Sequence, residues 1–387
     1  MRSLIVPSAL VVALVLAGCS SDDSTSSGPA AAPTGSGDST TVLAEPEMTV
    51  ESGAEFPAAR CTANEEAGTI TFLTGFDYAA AASIIEVVTA DAAGYYSDLC
   101  LDVEIRPGFS AANYPQVASG TAEFASGGSF SEVVAFSAAN DANFVAVTVD
   151  GRSAIDTLIV KSGHAAALSD LDGSTIGVKG KLPPAIDVML REDGLIEGEN
   201  YDTVLLDGFD PLAHIEIPAI DALTGWKSNE VGTLERAGVG FQLFDPLDTG
   251  VPGSFGVIFT SAEFAAAHPT AAQDFVRATL KGLEDAVADP EAAAVAAVEV
   301  LDTNGNPNFL SPEGEIFRWG TESALILDGT PEGMGLGVPD VDALQTEIDA
   351  YAAVGLFGDG DPPDAAVYVS DITTGLCDAN AALIWPG

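Results

Sequence analysis

Short strand-like runs alternate with helix-spaced runs along most of the chain, and this alternation limits the fold more than any other feature. Thr69–Thr74 reads as a strand, and Ala79–Ala93 places Ile84, Ile85, Val88 and Ala92 at helical spacing. Leu101–Ile105, Ala122–Ala125 and Phe144–Thr148 read as further strands, with a helical stretch from Ser131 to Ala139. A second block repeats the scheme with strands at Asp156–Val160, Ser174–Val178, Asp202–Leu206, Val239–Phe244 and Phe255–Phe259. Within it, Pro183-Pro184 opens a helix running through Arg191 that stops at Gly194. Such alternation predicts parallel βαβ units.

Beyond residue 259 the pattern turns helical. Thr260 with Glu263 and Thr270 with Gln273 fit capping boxes, Ser311-Pro312 fits an N-cap followed by proline, and Val341, Leu344, Ile348 and Tyr351 form an apolar stripe. Two βα blocks followed by returning helices are the wiring of a two-lobed α/β clamshell. The expected division is residues 61–150 for the first part of lobe 1, 151–255 for lobe 2, and 256–387 for the return to lobe 1 and the C-terminal helices. The two crossings are expected near Asp150-Gly151 and Gly253-Ser254. A chain of 387 residues suits two lobes of about 100–150 residues each.

Residues 1–19 read as a targeting segment rather than as structure. Arg2 precedes an apolar run from Leu4 to Ala17, shorter than the roughly 20 residues that cross ~30 Å of hydrocarbon. The run ends in Leu16-Ala17-Gly18-Cys19, which resembles a bacterial lipoprotein signal with Cys19 as the lipidated residue. Two acyl chains anchor stably. Residues 20–60 read as a tether, its first 30 or so positions being Ser, Thr, Gly, Ala, Pro and Asp with few large apolar side chains. The body is thus expected at the outer face of the cytoplasmic membrane, held by lipid alone.

Export makes disulfides possible. With Cys19 lipidated, Cys61, Cys100 and Cys377 remain. Cys61 precedes the first strand and Cys100 the second, positions that share an edge in a parallel sheet; this favours Cys61–Cys100 over Cys61–Cys377. Fifty-eight acidic residues against thirteen basic ones give a net charge of −45. Such a surface repels nucleic acid and anionic headgroups, so neither is an expected partner. It suits a heavily solvated surface, or a field that draws in a cationic ligand.

No catalytic constellation stands out. His164, His214 and His268 are scattered, and neither a Gly-x-Ser-x-Gly elbow nor a phosphate loop occurs. Gly333-Met334-Gly335-Leu336-Gly337 has the wrong spacing for a dinucleotide fingerprint. Asp302, Asn304, Asn306, Asn308 and Glu313 match a calcium-loop spacing, but Pro307 stands where a positive φ is needed. No cofactor, metal or catalytic residue is therefore expected.

In open α/β sheets, ligands sit beyond the carboxyl ends of strands. Reading those positions gives Asp77, Tyr78, Ser129, Asp150, Lys179, Asp210, Trp226, Asn229 and Glu230 as candidate ligand-binding residues. Tyr78 and Trp226 would stack a flat ligand, and Asp77 and Glu230 would accept its hydrogen bonds. Lys179, Lys227 and Arg152 would instead favour an anion.

Cys100-Leu101-Asp102-Val103-Glu104-Ile105, Leu171-Asp172-Gly173-Ser174-Thr175-Ile176-Gly177-Val178 and Lys227-Ser228-Asn229-Glu230 resemble the solute-binding family for nitrate, sulfonate, taurine and thiamine-pyrimidine precursors. Asp245-Pro246 and Gly250-Val251-Pro252 are similar to the next stretch of the thiamine-pyrimidine branch. The resemblance covers about residues 65–355. It implies a type II periplasmic-binding fold, a monomer that captures a small molecule by clamshell closure, and an ABC permease and ATPase as partners. By motif match, Asn229 and Glu230 would lie in the pocket. The expected ligand is a polar heteroaromatic such as a thiamine-pyrimidine precursor, which the chain's acidity favours over an anion. The alternatives are a sulfonate, taurine or nitrate anion, and a pyrimidine-synthesis enzyme on the same fold.

Overall fold

The alternation resolves into two five-stranded sheets. The computed structural model describes residues 48–208, 210–305 and 310–387. The signal segment, Cys19 and most of the tether lie outside the described residues. The tether expectation of 20–60 overshoots: α1 (Ala58–Glu65) already belongs to the body, with Arg60 buried against Asp274.

Lobe 1 continues with β1 (Thr69–Leu73), α2 (Ile85–Ala93), α3 (Tyr95–Asp98), β2 (Asp102–Arg106), α4 (Ser110–Ala118), β3 (Phe124–Gly127), α5 (Phe130–Asn140) and β4 (Phe144–Gly151). Lobe 2 holds β5 (Asp156–Lys161), β6 (Thr175–Val178), α6 (Pro184–Glu192), β7 (Asp202–Leu205), α7 (Pro211–Ile215), β8 (Ala222–Trp226), α8 (Gly232–Arg236) and β9 (Phe241–Phe244). The chain then returns through β10 (Phe255–Ser261), α9 (Ala262–Ala267), α10 (Pro269–Ala288), α11 (Pro290–Asn304), α12 (Pro312–Gly329) and α13 (Val341–Ala352).

The strand orders are β2-β1-β3-β10-β4 and β7-β6-β8-β5-β9. β1 runs parallel to β2 and β3, and β6 parallel to β7 and β8. These are the parallel βαβ units the alternation predicts, and each sheet also takes in antiparallel strands, so both are mixed. β10 is antiparallel to β3 and β4, and β5 is antiparallel to β8 and β9. These are the strands that come after the two crossings, at 152–155 and 245–254. A strand entering a sheet from the crossing end runs against its neighbours. β8 is a strand the sequence reading does not contain, because Ala222–Trp226 is five residues long and carries a glycine.

β1 is buried on both faces, as a strand flanked by helices must be. Below it, Phe124 stacks on Phe275 of α10 with ring centroids 4.1 Å apart. Trp319 of α12 is fully buried and donates its indole N–H to Ala286 O at 2.8 Å. α12 packs on β4 in lobe 1 and on α8 in lobe 2; α13 touches α5 in lobe 1 and α6 in lobe 2. The C-terminal helices thus span both lobes rather than returning to lobe 1 alone.

Cys61 and Cys100 form a disulfide with Cα atoms 5.2 Å apart. The register Thr69↔Asp102 brings them to one edge of the sheet. The thiol of Cys377 is pushed up in pKa by burial. Lys227 joins the crossings: its Nζ donates to Ala154 O at 2.8 Å and lies 2.7 Å from Asp245 Oδ1. Arg152 is likewise committed, to Thr330 Oγ1 and Val338 O.

Candidate ligand-binding cleft

A cavity of about 440 Å³ opens where the loops of the two sheets face each other. Lobe 1 contributes the loops after β1 (Gly75, Phe76, Ala82, Ser83), β2 (Phe109) and β3 (Gly127, Gly128, Ser129). Lobe 2 contributes Asp156, Lys179, Trp226, Asn229 and Glu230. α12 adds Arg318 and Glu322, and α13 adds Tyr351. Phe76, Phe109, Trp226, Phe255 and Tyr351 give flat apolar walls, with polar groups set among them.

Five of the nine candidate residues line this cavity: Ser129, Lys179, Trp226, Asn229 and Glu230. Ser129 also caps α5, its Oγ accepting from Glu132 N in a capping box. Lys179 is ion-paired with Glu230, whose other oxygen accepts from Trp226 N at 2.8 Å. Asn229 Oδ1 accepts from Arg318 at 3.1 Å. Lys227–Val231 forms a single π-helical turn, an irregularity that recurs at functional sites. It turns Asn229 and Glu230 toward the cavity while burying Lys227.

The other four are placed elsewhere, each for a local reason. Asp77 takes a left-handed φ of 48° and accepts from its neighbour Tyr78 N. Tyr78 is buried and donates its hydroxyl to Ile105 O at 3.2 Å. Asp210 caps α7 through Leu212 N and Ala213 N. Asp150 is wholly buried outside the lining and accepts from Ser83 N. Beside it lies Glu86, whose carboxyl pKa is pushed well above its usual range by burial and by the Asp150 charge. The three cations expected to favour an anion are all engaged internally: Lys179 by Glu230, Lys227 by Asp245, and Arg152 by the 330–338 loop.

Several lining residues escape sequence reading. Asp156 opens β5, and its carboxyl is pushed up to about 7, first by burial and then by the Glu132 and Glu230 charges. Phe109 lies past the end of β2, a strand end absent from the candidates above. Glu315, Arg318 and Glu322 lie at i, i+3 and i+7 on α12, one face of a helix, and all three are buried. That charged stripe is visible in the sequence, but nothing there says that it faces inward.

His164 Nε2 lies 2.9 Å from Ser174 Oγ, and His164 Nδ1 lies 3.4 Å from Asp221. The order suggests a hydrolytic triad. Ser174 is buried, however, and it precedes β6, while Asp221 precedes β8 and accepts from Thr175 N. The group therefore sits at the opposite ends of these strands from the cavity and staples their starts. A nucleophile needs an exposed oxygen at a site of substrate approach. Asp302 and Asn304 of the calcium-like pattern belong to the last turn of α11; residues 306–309 lie outside the described residues. Among the described residues no cluster of three or more His, Cys, Asp or Glu could hold a metal. Within them no helix is long and apolar enough to cross a membrane.

Two mixed sheets joined by two crossings, with a cleft between them and helices spanning both, define the type II periplasmic-binding fold. The chain belongs to the NMT1/THI5-like family, which matches residues 81–293. Similar solved structures include the periplasmic aliphatic sulphonate-binding protein SsuA from Escherichia coli, at 13% identity, TM-score 0.56, and coverage of 78% of this chain and 92% of that one. The ligand-binding component of an ABC-type import system from Staphylococcus aureus matches at 15% identity and TM-score 0.57, covering 81% and 99%. A Candida albicans gene product with the generic periplasmic-binding-protein fold matches at 14% identity and TM-score 0.55, covering 82% and 98%. At these identities the likeness speaks to fold. No curated protein matches the chain.

Proposed function

We propose that the protein is an extracytoplasmic solute-binding protein of an ABC importer, anchored through a lipidated Cys19, that captures a small polar heteroaromatic solute by closure of its lobes. The observation that carries this reading is the cavity of about 440 Å³, walled by aromatic side chains from both lobes and from α13, with Arg318 and Glu322 of α12 set among them. A ligand there touches both lobes at once, so its binding energy favours the closed form. The closed form would be what a permease, driven by its ATPase, accepts. The work is binding by a monomer, with no covalent step.

A thiamine-pyrimidine precursor or a similar ring fits these walls, with Trp226 as the stacking surface and Asp156 facing its polar edge. The balance of charge supports this choice: Asp156 and Glu132 both line the cavity, whereas Lys179 is neutralised by Glu230. The second reading, a sulfonate, taurine or nitrate binder, draws support from Arg318 and Lys181 in the lining and from the ligand named for the Escherichia coli protein.

A thermal-shift panel on the purified protein tests both. It contains thiamine, its formylated and hydroxymethyl pyrimidine precursors, riboflavin, taurine, an alkanesulfonate and nitrate. A ligand at 100 times its Kd stabilises by about 2.7 kcal/mol. A shift with a pyrimidine alone is the expected result. A shift with sulfonates alone would replace the ligand class, and no shift with any member would overturn both ligand choices.

A further inference from the structure

We propose that the amide-bearing loop ahead of α2, residues 80–83, is an anion cradle filled by the protein's own carboxylates, and that Glu322 thereby restricts the cleft to uncharged or cationic ligands. The proposal rests on reading the cleft as a ligand site.

Helix N-termini gather unpaired N–H groups and the positive end of the helix dipole, which makes them ready sites for oxyanions. Here the loop entering α2 lines the cavity through Ala82 and Ser83, and Ser83 holds a left-handed φ of 62°. Its donors are already taken. Ala80 N donates to Glu315 Oε2 at 2.7 Å, Ala82 N to Glu322 Oε2 at 2.7 Å, and Ser83 N to Asp150 Oδ2 at 2.9 Å. All three carboxylates are buried. They come from elements remote in sequence, α12 and β4, so the arrangement is tertiary and not a local cap.

Of the three, Glu322 is the one that reaches the cavity lining. Its other oxygen accepts from Ser228 Oγ of lobe 2 at 2.6 Å. One carboxylate therefore holds a lobe 1 amide and a lobe 2 hydroxyl across the cleft. An oxyanion entering here would find its donors occupied and meet like charge. The nearby Arg318 offers little relief, because it is bonded to Glu315 and to Asn229.

The test is calorimetric titration of the full-length protein with methanesulfonate, comparing wild type, Glu322→Ala and Glu322→Gln. Alanine empties the cradle. Glutamine keeps an acceptor oxygen on Ala82 N while removing the charge. The expected result is no methanesulfonate binding by wild type or Glu322→Gln, and a gain of about tenfold or more in affinity for Glu322→Ala, equivalent to about 1.4 kcal/mol. Shifts of the Ala82 and Ser83 amide resonances should accompany that gain. Equal gains in both variants would overturn the cradle, since charge alone would then explain them. So would methanesulfonate binding to wild type, or a folded Glu322→Ala without a gain. If Glu322→Ala fails to fold, Glu322→Ser, whose short side chain likewise withdraws the carboxylate from Ala82 N, takes its place and is judged by the same outcomes. Methanesulfonate binding to wild type would sink this inference and leave the cleft a ligand site. Gain in Glu322→Ala, with wild type refusing the whole heteroaromatic panel, would keep the cradle and sink the heteroaromatic reading.

Discussion

Asp156 shows how strongly one residue depends on its surroundings. Its carboxyl, ordinarily titrating near 4, is moved to about 7 by burial and by Glu132 and Glu230. Glu322 and Glu347 are also raised, chiefly by burial. A carboxyl raised in the folded state binds its proton more tightly folded than unfolded. Its contribution to stability is complete below about pH 4 and is lost as pH climbs toward 7. The melting temperature should therefore fall between pH 5 and pH 8, and Asp156→Asn should flatten that slope; a denaturation series across this range reads both effects. Trp226, about two-fifths exposed beside the cavity, is positioned to stack on a ligand. Trp226→Ala should weaken binding of whichever panel ligand is found by about tenfold while leaving the melting temperature of the free protein within a few degrees. Strand ends point to Ser129 and Lys179 because loops after parallel strands face a common side, whereas Asn229 and Glu230 are legible through the Lys227-Ser228-Asn229-Glu230 motif. The same rule misplaces Asp77 and Asp210, whose short carboxylates satisfy backbone N–H groups next to them instead.

Among the elements, α12 is the most consequential and the least legible in its role. Its start is readable from Ser311-Pro312, and Ser311 Oγ does accept from Gly314 N. That it would span both lobes and turn Glu315, Arg318 and Glu322 inward depends on contacts from distant parts of the chain, which no local pattern encodes. The parallel strands of each lobe are legible where each is a short apolar run between turns. β8 is not, because five residues ending in Gly-Trp give too little pattern. Trp319 anchors α12 in the lobe 1 core, so Trp319→Ala should cost about 3–5 kcal/mol in chemical denaturation. The disulfide ties α1 to the start of β2 across a separation of 39 residues. Reducing it, or replacing Cys100 with serine, should cost about 2–4 kcal/mol by the same measurement.

For the molecule as a whole, a net charge of −45 on one chain means that folding compresses like charges. Added salt screens them over about 10 Å at 0.1 M and about 3 Å at 1 M. Raising sodium chloride from about 0.05 to about 1 M should therefore raise the melting temperature, and a flat response would mean that local pairing already balances the field. The lobes meet this field joined by two crossings that are not independent. Lys227 holds a carbonyl of the first crossing and a carboxylate of the second with one ammonium group. A displacement of either segment is carried to the other through that ammonium. The joint is then one coupled strap in place of two separate ones.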